Sequence, residues 1–232
     1  MSDIIGVLEA ADALAIHPSR VRSLIAAGSL EAEKIGGRWL LRRESVETRR
    51  RGPVSSGRPL APRNAWVLLL EASGDDTLNR VDPVAHWRMR QSLANSGLLA
   101  MRGRLGGRAR AHSLWGLRGE LGPLRSDQGV VLTGSSAAGE LKLGLAAPDT
   151  IDAYVVSSRL DGLKDEYGLQ DMPAEQANVI LRAVPDDAWM LEDRRVAPAA
   201  AVALDLASYP DSRSNRVGMQ MLRRLEHGRP AR

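Results

Sequence analysis

Two short segments near the N-terminus place apolar residues at helical spacing. The first predicts a helix whose single buried stripe is Val7, Leu8, Ala11 and Leu14. The second begins at Pro18, which suits the first position of a helix because its missing N–H would be unpaired there, and Gly28 is expected to end it as a left-handed cap. The buried face of this second helix is predicted at Val21, Leu24 and Ile25. The exposed face near its N-terminus then holds Ser19, Arg20, Arg22 and Ser23.

A basic β-hairpin is predicted directly after these helices. Its strands, Ala32–Ile35 and Arg38–Leu41, are separated by Gly36-Gly37, a two-residue turn that needs positive φ at both positions. Trp39 is expected to belong to the hairpin core rather than to stack on a base. Four basic residues lie on or beside the hairpin, namely Lys34, Arg38, Arg42 and Arg43.

This order of elements is typical of a winged helix-turn-helix, a DNA-binding module, within a domain predicted at residues 1–47. A helical pair with a hairpin and a solvated basic face that never contacts DNA is the alternative. Residues 4–46 resemble the excisionase and MerR-type winged helix-turn-helix family through EAADAL, RVRSLIAAGSL and GGRWLL. His17-Pro18 stands where that family usually has a Ser or Thr cap. The resemblance implies base contacts from Arg20, Arg22 and Ser23, and phosphate contacts from Lys34, Arg38 and Arg42.

The excess positive charge of the chain lies entirely in its first part. Residues 1–63 carry a net charge of +4, whereas residues 64–232 are neutral overall. A charge of +4 is too small to hold DNA alone at cellular salt, so we expect a homodimer or a second basic surface. The Pro-, Gly- and Arg-rich segment 48–63 is predicted to be an extended linker, which either lies along phosphates or only tethers the first domain.

Residues 64–125 are predicted to form an arginine-rich unit. Helices are expected at Asn64–Ala72 and Val84–Asn95, the latter with Trp87, Leu93 and Ala94 inward. A Gly106-Gly107 turn between Leu98–Leu105 and Arg108–Leu114 predicts a second hairpin, which repeats the order of residues 7–41. A second winged-helix-like unit or a basic dimerisation domain would follow. Its basic surface would comprise Arg88, Arg90, Arg104, Arg108 and Arg110.

Residues 126–232 are predicted to form a mixed α/β domain, which makes the overall fold class α+β. Strands are expected at Gly129–Thr133, Ile151–Ser157 and Asn178–Val184, and helices at Ser135–Leu143, Ser158–Tyr167, Ala197–Ser208 and from Asp211-Ser212 to Glu226. The last helix would bury Val217, Met221, Leu222 and Leu225. Asp205, on the apolar helix before it, needs a polar partner, and Arg213 or Arg216 is the candidate. Residues 126–193 carry a net charge of −9, which favours a protein contact or a face that neutralises the arginine-rich unit.

The residues give little support for catalysis. There is no cysteine, and the four histidines lack metal-ligand spacing, so neither a metal nor a cofactor is expected. Thr133-Gly134-Ser135-Ser136 with Asp149 and Asp152 is weakly similar to a nucleotidyltransferase site, but acids three apart on a strand point to opposite faces. A strand-to-helix turn is the favoured interpretation, and no enzyme activity is expected. No apolar run is long enough to span a membrane, which predicts a cytoplasmic protein without a membrane partner.

A second resemblance covers roughly residues 58–226. RPLAPRNAWVLLLEA, NVILRAVPDDAWML and VAPAAAVALDLASYPDSRSNRVGMQMLRRLE are similar to actinobacterial helix-turn-helix proteins related to the AbiE-type antitoxins of type IV toxin–antitoxin systems. The resemblance implies a DNA-binding antitoxin that represses its own operon and opposes a nucleotidyltransferase-like toxin without needing to bind it. A DNA-binding regulator whose C-terminal domain senses a ligand or protein, with no toxin partner, is the alternative.

Overall fold

The computed structural model describes residues 4–26, 30, 32–43, 45–47, 58–145 and 149–227. The chain divides into two compact units, Met1–Val54 and Ser55–Arg232. The expected cap at Gly28 and most of the expected linker, residues 48–57, lie outside the described residues.

The first unit combines two helices with a three-stranded antiparallel sheet. Its elements are β1 (Ile4–Gly6), α1 (Val7–Leu14), α2 (Pro18–Ala26), β2 (Ala32–Ile35) and β3 (Arg38–Arg42), with sheet order β1-β3-β2. The prediction that Val21, Leu24 and Ile25 form the buried face of α2 is confirmed.

The stripe predicted for α1 is wrong at one position. Leu8 is 70% exposed, whereas Ala10 and Ala11 are buried and Val7 and Leu14 are half-buried. Successive helical residues are rotated by about 100°, so a face built on positions 7, 10, 11 and 14 leaves position 8 to one side. Ala15, with φ of 53°, ends the helix in the left-handed conformation.

The second unit is built around one five-stranded sheet of order β5-β6-β8-β4-β7. The strands are β4 (Arg110–Trp115), β5 (Val131–Leu132), β6 (Ile151–Val156), β7 (Gln170–Asp171) and β8 (Val179–Val184). Strands β6 and β8 are parallel and the other neighbours are antiparallel. The helices are α3 (Pro62–Ser73), α4 (Pro83–Ser96), α5 (Leu98–Met101), α6 (Arg118–Ser126), α7 (Leu160–Glu166), α8 (Ala199–Leu206) and α9 (Ser212–His227).

The hairpin predicted at residues 98–114 is wrong, and the second winged-helix-like unit is wrong with it. Leu98, Met101 and Leu105 are buried at helical spacing, and they lie in α5 and the turn that follows it. Gly106 and Gly107 lie in a 3-10 helix rather than in a turn of positive φ. Because β4 pairs with β8, the residues on both sides of position 125 share one sheet and one hydrophobic core, so the predicted boundary there does not separate two domains.

Several other expectations are corrected by burial. On α4, Leu93 is buried together with Met89, but Trp87 is 61% exposed and Ala94 is exposed. The sequence pattern predicts a helix over Ser135–Leu143, but the chain forms a 3-10 helix at Gly134–Ala137 followed by turns.

The two C-terminal helices and strands β6 and β8 lie where the apolar pattern predicts them. Helix α9 packs closely on α8 through Gly218, where an added Cβ would lie 2.3 Å from the Ala207 nitrogen and 2.7 Å from the Ala203 oxygen. Of the predicted stripe on α9, Leu222 is fully buried and Val217, Met221 and Leu225 are half-buried.

Candidate nucleic-acid interface

Helix α2 presents the polar residues predicted to contact DNA. Ser19, Arg20, Arg22 and Ser23 are all exposed, whereas Val21, Leu24 and Ile25 of the same helix are buried. They occupy the first two turns of the helix, the end that a recognition helix directs into the major groove.

His17 caps the N-terminus of α2 in place of the Ser or Thr that the sequence lacks there. Its Nδ1 accepts a hydrogen bond from the Ser19 backbone N–H at 3.3 Å and lies 2.8 Å from the Ser19 Oγ. Ser23 Oγ donates to the Ser19 carbonyl at 3.1 Å. The Ser19 and Ser23 hydroxyls therefore already have partners at His17 and in the helix backbone, and the guanidinium groups of Arg20 and Arg22 are the principal donors of this helix toward a ligand.

The β2–β3 hairpin has the turn that the sequence predicts, with φ of 57° at Gly36 and 80° at Gly37. Trp39 is half-buried against the core of the first unit, which confirms its expected place, and the Lys34 ammonium lies 5.8 Å from its ring centroid. Lys34 pairs with Trp39 across the hairpin and so shares its face.

The basic residues of the hairpin divide between its two faces. Arg38 and Arg42 are exposed and lie four positions apart on β3, so they share the face opposite Trp39 and Lys34. Arg43 contacts Glu9 of α1 in an ion pair, which ties the end of the sheet to the first helix. The structure therefore places Arg38 and Arg42 on one face of the hairpin and Lys34 on the other.

The second basic surface predicted in residues 64–125 does not form as one patch. Arg108 is buried, and the Arg104 Nε donates to the Arg58 carbonyl at 3.0 Å, an anchor for the chain entering the second unit. Arg88 and Arg90 are exposed on α4, with the Arg90 Nε 3.8 Å from a Glu71 carboxylate oxygen, while Arg110 is exposed on β4.

Arg108 instead belongs to a buried ionic network centred on Asp205. One Asp205 oxygen contacts the Arg108 guanidinium and lies 3.1 Å from Arg182, and the other accepts from Thr133 at 2.6 Å and Tyr154 at 2.8 Å. The prediction that Arg213 or Arg216 pairs with Asp205 is wrong. Both arginines are exposed on α9, and Arg213 donates to the Gly144 carbonyl. A 97-residue separation between Arg108 and Asp205 hides this pairing from any local pattern.

The network also contains a second carboxylate. Asp152 accepts two hydrogen bonds from Arg182, at 2.7 and 2.8 Å, and one at 2.5 Å from the Tyr209 hydroxyl. Burial would raise the pKa of Asp205, but Arg108 and Arg182 outweigh it and hold that pKa below its ordinary value. For Asp152, burial outweighs the contact with Arg182 and raises the pKa. Two cations and two acids so close together form a neutral core for the fold rather than a basic surface.

The acids of the weak nucleotidyltransferase pattern do not meet. Asp149 is exposed and pairs with Arg118, whereas Asp152 is buried in the ionic network. Ser136 Oγ accepts from the Asp152 backbone N–H at 2.8 Å, so the Gly-Ser turn serves the local fold. Within the described ranges no group of three or more His, Cys, Asp or Glu side chains is arranged to hold a metal ion.

The exposed basic residues that sequence reasoning missed lie on α9. Arg213, Arg216, Arg223 and Arg224 all face outward from this helix. The signal was present in the sequence, because spacings of three, seven and eight residues fall on one side of a helix. The apolar stripe on the opposite side of the helix is the more conspicuous pattern.

Comparison with known proteins agrees with the geometry of the first unit. The model of a helix-turn-helix domain family matches residues 6–51. No curated protein and no solved structure matches the chain. The chain therefore carries an N-terminal helix-turn-helix domain, followed by a second unit of mixed helices and sheet.

Across the residues that the structure describes, none of the helices combines the length and the apolar character that a membrane crossing requires.

Proposed function

We propose that this protein is a sequence-specific, DNA-binding transcriptional regulator that reads its site through a winged helix-turn-helix. The observation that carries the proposal is that Arg20 and Arg22 are exposed at the capped N-terminus of α2, in a unit that also holds a basic hairpin with a Gly36-Gly37 turn. Arginine at this end of a recognition helix can donate two hydrogen bonds to the edge of a guanine in the major groove.

The hairpin would act as the wing. Arg38 and Arg42 share its outer face and would contact phosphates, which fix register and orientation but carry no sequence information directly. Lys34 lies on the other face, so its contribution would be to a different part of the backbone. A homodimer would present two such modules to a palindromic site.

Selection from a random duplex library, followed by anisotropy titration of the selected site, tests this proposal. Arg20→Ala should cost about 1–3 kcal/mol on the selected site and relax its base preference, whereas Arg38→Ala should weaken all sequences equally. Arg118→Ala, an exposed arginine of the second unit, is the matched control and should change neither. Failure to enrich any sequence, with no binding by the wild-type protein at low salt, would contradict the proposal.

The finer proposal is that this regulator is the antitoxin of a type IV-like toxin–antitoxin pair and represses its own operon. Its support is the sequence similarity of residues 58–226 to AbiE-type antitoxins. Expression of the adjacent reading frame, alone and together with this protein, tests it. Growth arrest by the neighbour that this protein relieves is the expected result, and Arg20→Ala would then separate repression from neutralisation. A harmless neighbour would leave only the DNA-binding regulator.

One observation favours a regulator that senses a ligand instead. A cleft of about 220 Å³ lies between the start of α3 and the segment 185–190, with Pro62, Pro185 and Trp189 among its mainly apolar lining. This volume exceeds the ~150 Å³ of a cavity that accommodates benzene. A metabolite that shifts the affinity for DNA, and that loses this effect in Trp189→Ala, would support the sensing role.

A further inference from the structure

The outward face of α9 carries a continuous basic stripe in the second unit. The stripe consists of six exposed polar residues, Arg213, Arg216, Gln220, Arg223, Arg224 and His227. Four of the six are arginines. At about 100° per residue, these six positions fall within an arc of about 100°, and the 16-residue helix is about 24 Å long.

The two acids next to these arginines in the sequence, Asp211 and Glu226, accept hydrogen bonds from backbone N–H groups. Glu226 is half-buried and accepts from the Leu99 backbone N–H at 3.4 Å, at the junction with α5. Asp211 accepts from the Ser214 backbone N–H at 2.8 Å and so caps the start of α9. Within the described part of the chain, Arg216, Arg223 and Arg224 make no ion pair with a carboxylate.

The stripe is also free of large apolar side chains. The apolar residues of α9 face α8 and the core, and no exposed large hydrophobic residue of the described chain lies on this helix. A surface helix that inserts into a lipid interface needs an exposed apolar face, and the core of a protein interface is depleted of charge. Neither requirement is met by the α9 stripe.

We infer that the α9 stripe is a second nucleic-acid contact, in which arginines bind the phosphate backbone of duplex DNA without reading its sequence. Arg216 and Arg223 lie about 10 Å apart along the helix axis. Three successive phosphates of one DNA strand advance by about the same length along the duplex axis, at about 3.4 Å each. The inference rests on the proposed DNA-binding function. It supplies the additional positive surface that a net charge of +4 in residues 1–63 requires.

Salt titration of the full-length chain on duplex DNA tests the inference. The variant is Arg216→Gln, Arg223→Gln and Arg224→Gln together, since Arg213 also holds the Gly144 carbonyl and is left intact. The slope of log affinity against log salt should flatten by about 2 to 3, and affinity at 0.1 M salt should fall by at least about tenfold. The loss should be equal on a selected site and on a random duplex, because phosphates carry no sequence information.

Two matched variants separate a local contact from a change in net charge. Removing the same three charges at Arg63, Arg88 and Arg110, which are exposed elsewhere in the second unit, should leave the slope within about 1 of wild type. Replacing Arg216, Arg223 and Arg224 by lysine should preserve the slope, and circular dichroism should show unchanged helix content in every variant.

The outcomes distinguish this inference from the proposed function. The α9 stripe is not a DNA contact if wild type binds DNA and the glutamine variant has an unchanged slope. The same follows if the glutamine variant and the variant at Arg63, Arg88 and Arg110 lose affinity equally. If the stripe instead binds an acidic protein, affinity for DNA will be unchanged, and the inference is overturned in the same way. If wild type binds no duplex at all, the proposed function itself fails.

Discussion

Asp205→Ala provides the most direct test of the buried ionic network. The carboxylate of Asp205 is fully buried and joins Arg108, Arg182, Thr133 and Tyr154, which come from four separate segments of the second unit. Removing it would leave the guanidinium of Arg108, only 7% exposed, without the carboxylate that balances its charge.

The expected loss of unfolding free energy is large. Breaking a buried ion pair by removing one partner costs about 3–5 kcal/mol, because the remaining charge is stranded in a medium of low polarity. Two hydroxyl donors also lose their acceptor, each at about 1–3 kcal/mol if no water replaces it. Since domains are typically stable by only about 5–15 kcal/mol, we expect the variant to be near the limit of folding.

Equilibrium unfolding in urea, followed by fluorescence, measures this loss. Trp66 is buried beside the network, with its Nε1 donating to the Arg108 carbonyl at 3.1 Å and its ring 4.9 Å from that of Tyr154. Asp161→Asn, on the exposed face of α7, is the control and should change stability by no more than about 0.5 kcal/mol. A loss below about 1 kcal/mol for Asp205→Ala, with an unchanged denaturant slope, would refute the argument.

Three further predictions concern other parts of the chain. Gly218→Ala should destabilise the second unit by about 1–3 kcal/mol or more in the same urea titration, because the new Cβ meets backbone atoms of α8. Gly162 faces open space on α7, so Gly162→Ala should be neutral or stabilising. His17→Ala should speed amide hydrogen exchange at the start of α2 by about 2- to 30-fold, the equivalent of a lost cap of about 0.5–2 kcal/mol, and His17→Asn should restore protection. Asp75 and Asp127 are partly desolvated, yet contacts with arginine hold the pKa of each carboxyl below its ordinary value. Their stabilisation is therefore complete above the unfolded pKa of about 4 and is lost as pH falls below it; unfolding free energies measured from pH 7 to pH 3 should decrease at the acid end, and a flat profile there would contradict this assignment.

Local patterns predicted the first unit well because its contacts are local. The apolar spacing in α2 and the Gly36-Gly37 turn each determine their element within a few residues of sequence. The same turn rule failed at Gly106-Gly107, since two glycines permit a hairpin but do not require one. There the helical spacing of Leu98, Met101 and Leu105 was the stronger signal.

The second unit could be predicted only in part, because its sheet depends on pairings between distant segments. Strands β6 and β8 are apolar runs that any strand pattern identifies, whereas the place of β4 between β8 and β7 depends on residues more than 50 positions away. For the candidate interface, exposure of Arg20 and Arg22 followed from the helical pattern. The burial of Arg108 did not, because an arginine in a basic run resembles a surface residue until its distant carboxylate is known.

The pairing of Arg108 with Asp205 also has a consequence for the order of events on the ribosome. Arg108 is synthesised 97 residues before the carboxylate that neutralises it. At about 5–20 residues per second, the nascent chain waits roughly 5 to 20 s before Asp205 follows. During that interval strands β6 and β8 are synthesised before α8, so they lack their packing against that helix. Closure of this core must therefore wait until α8 has been synthesised.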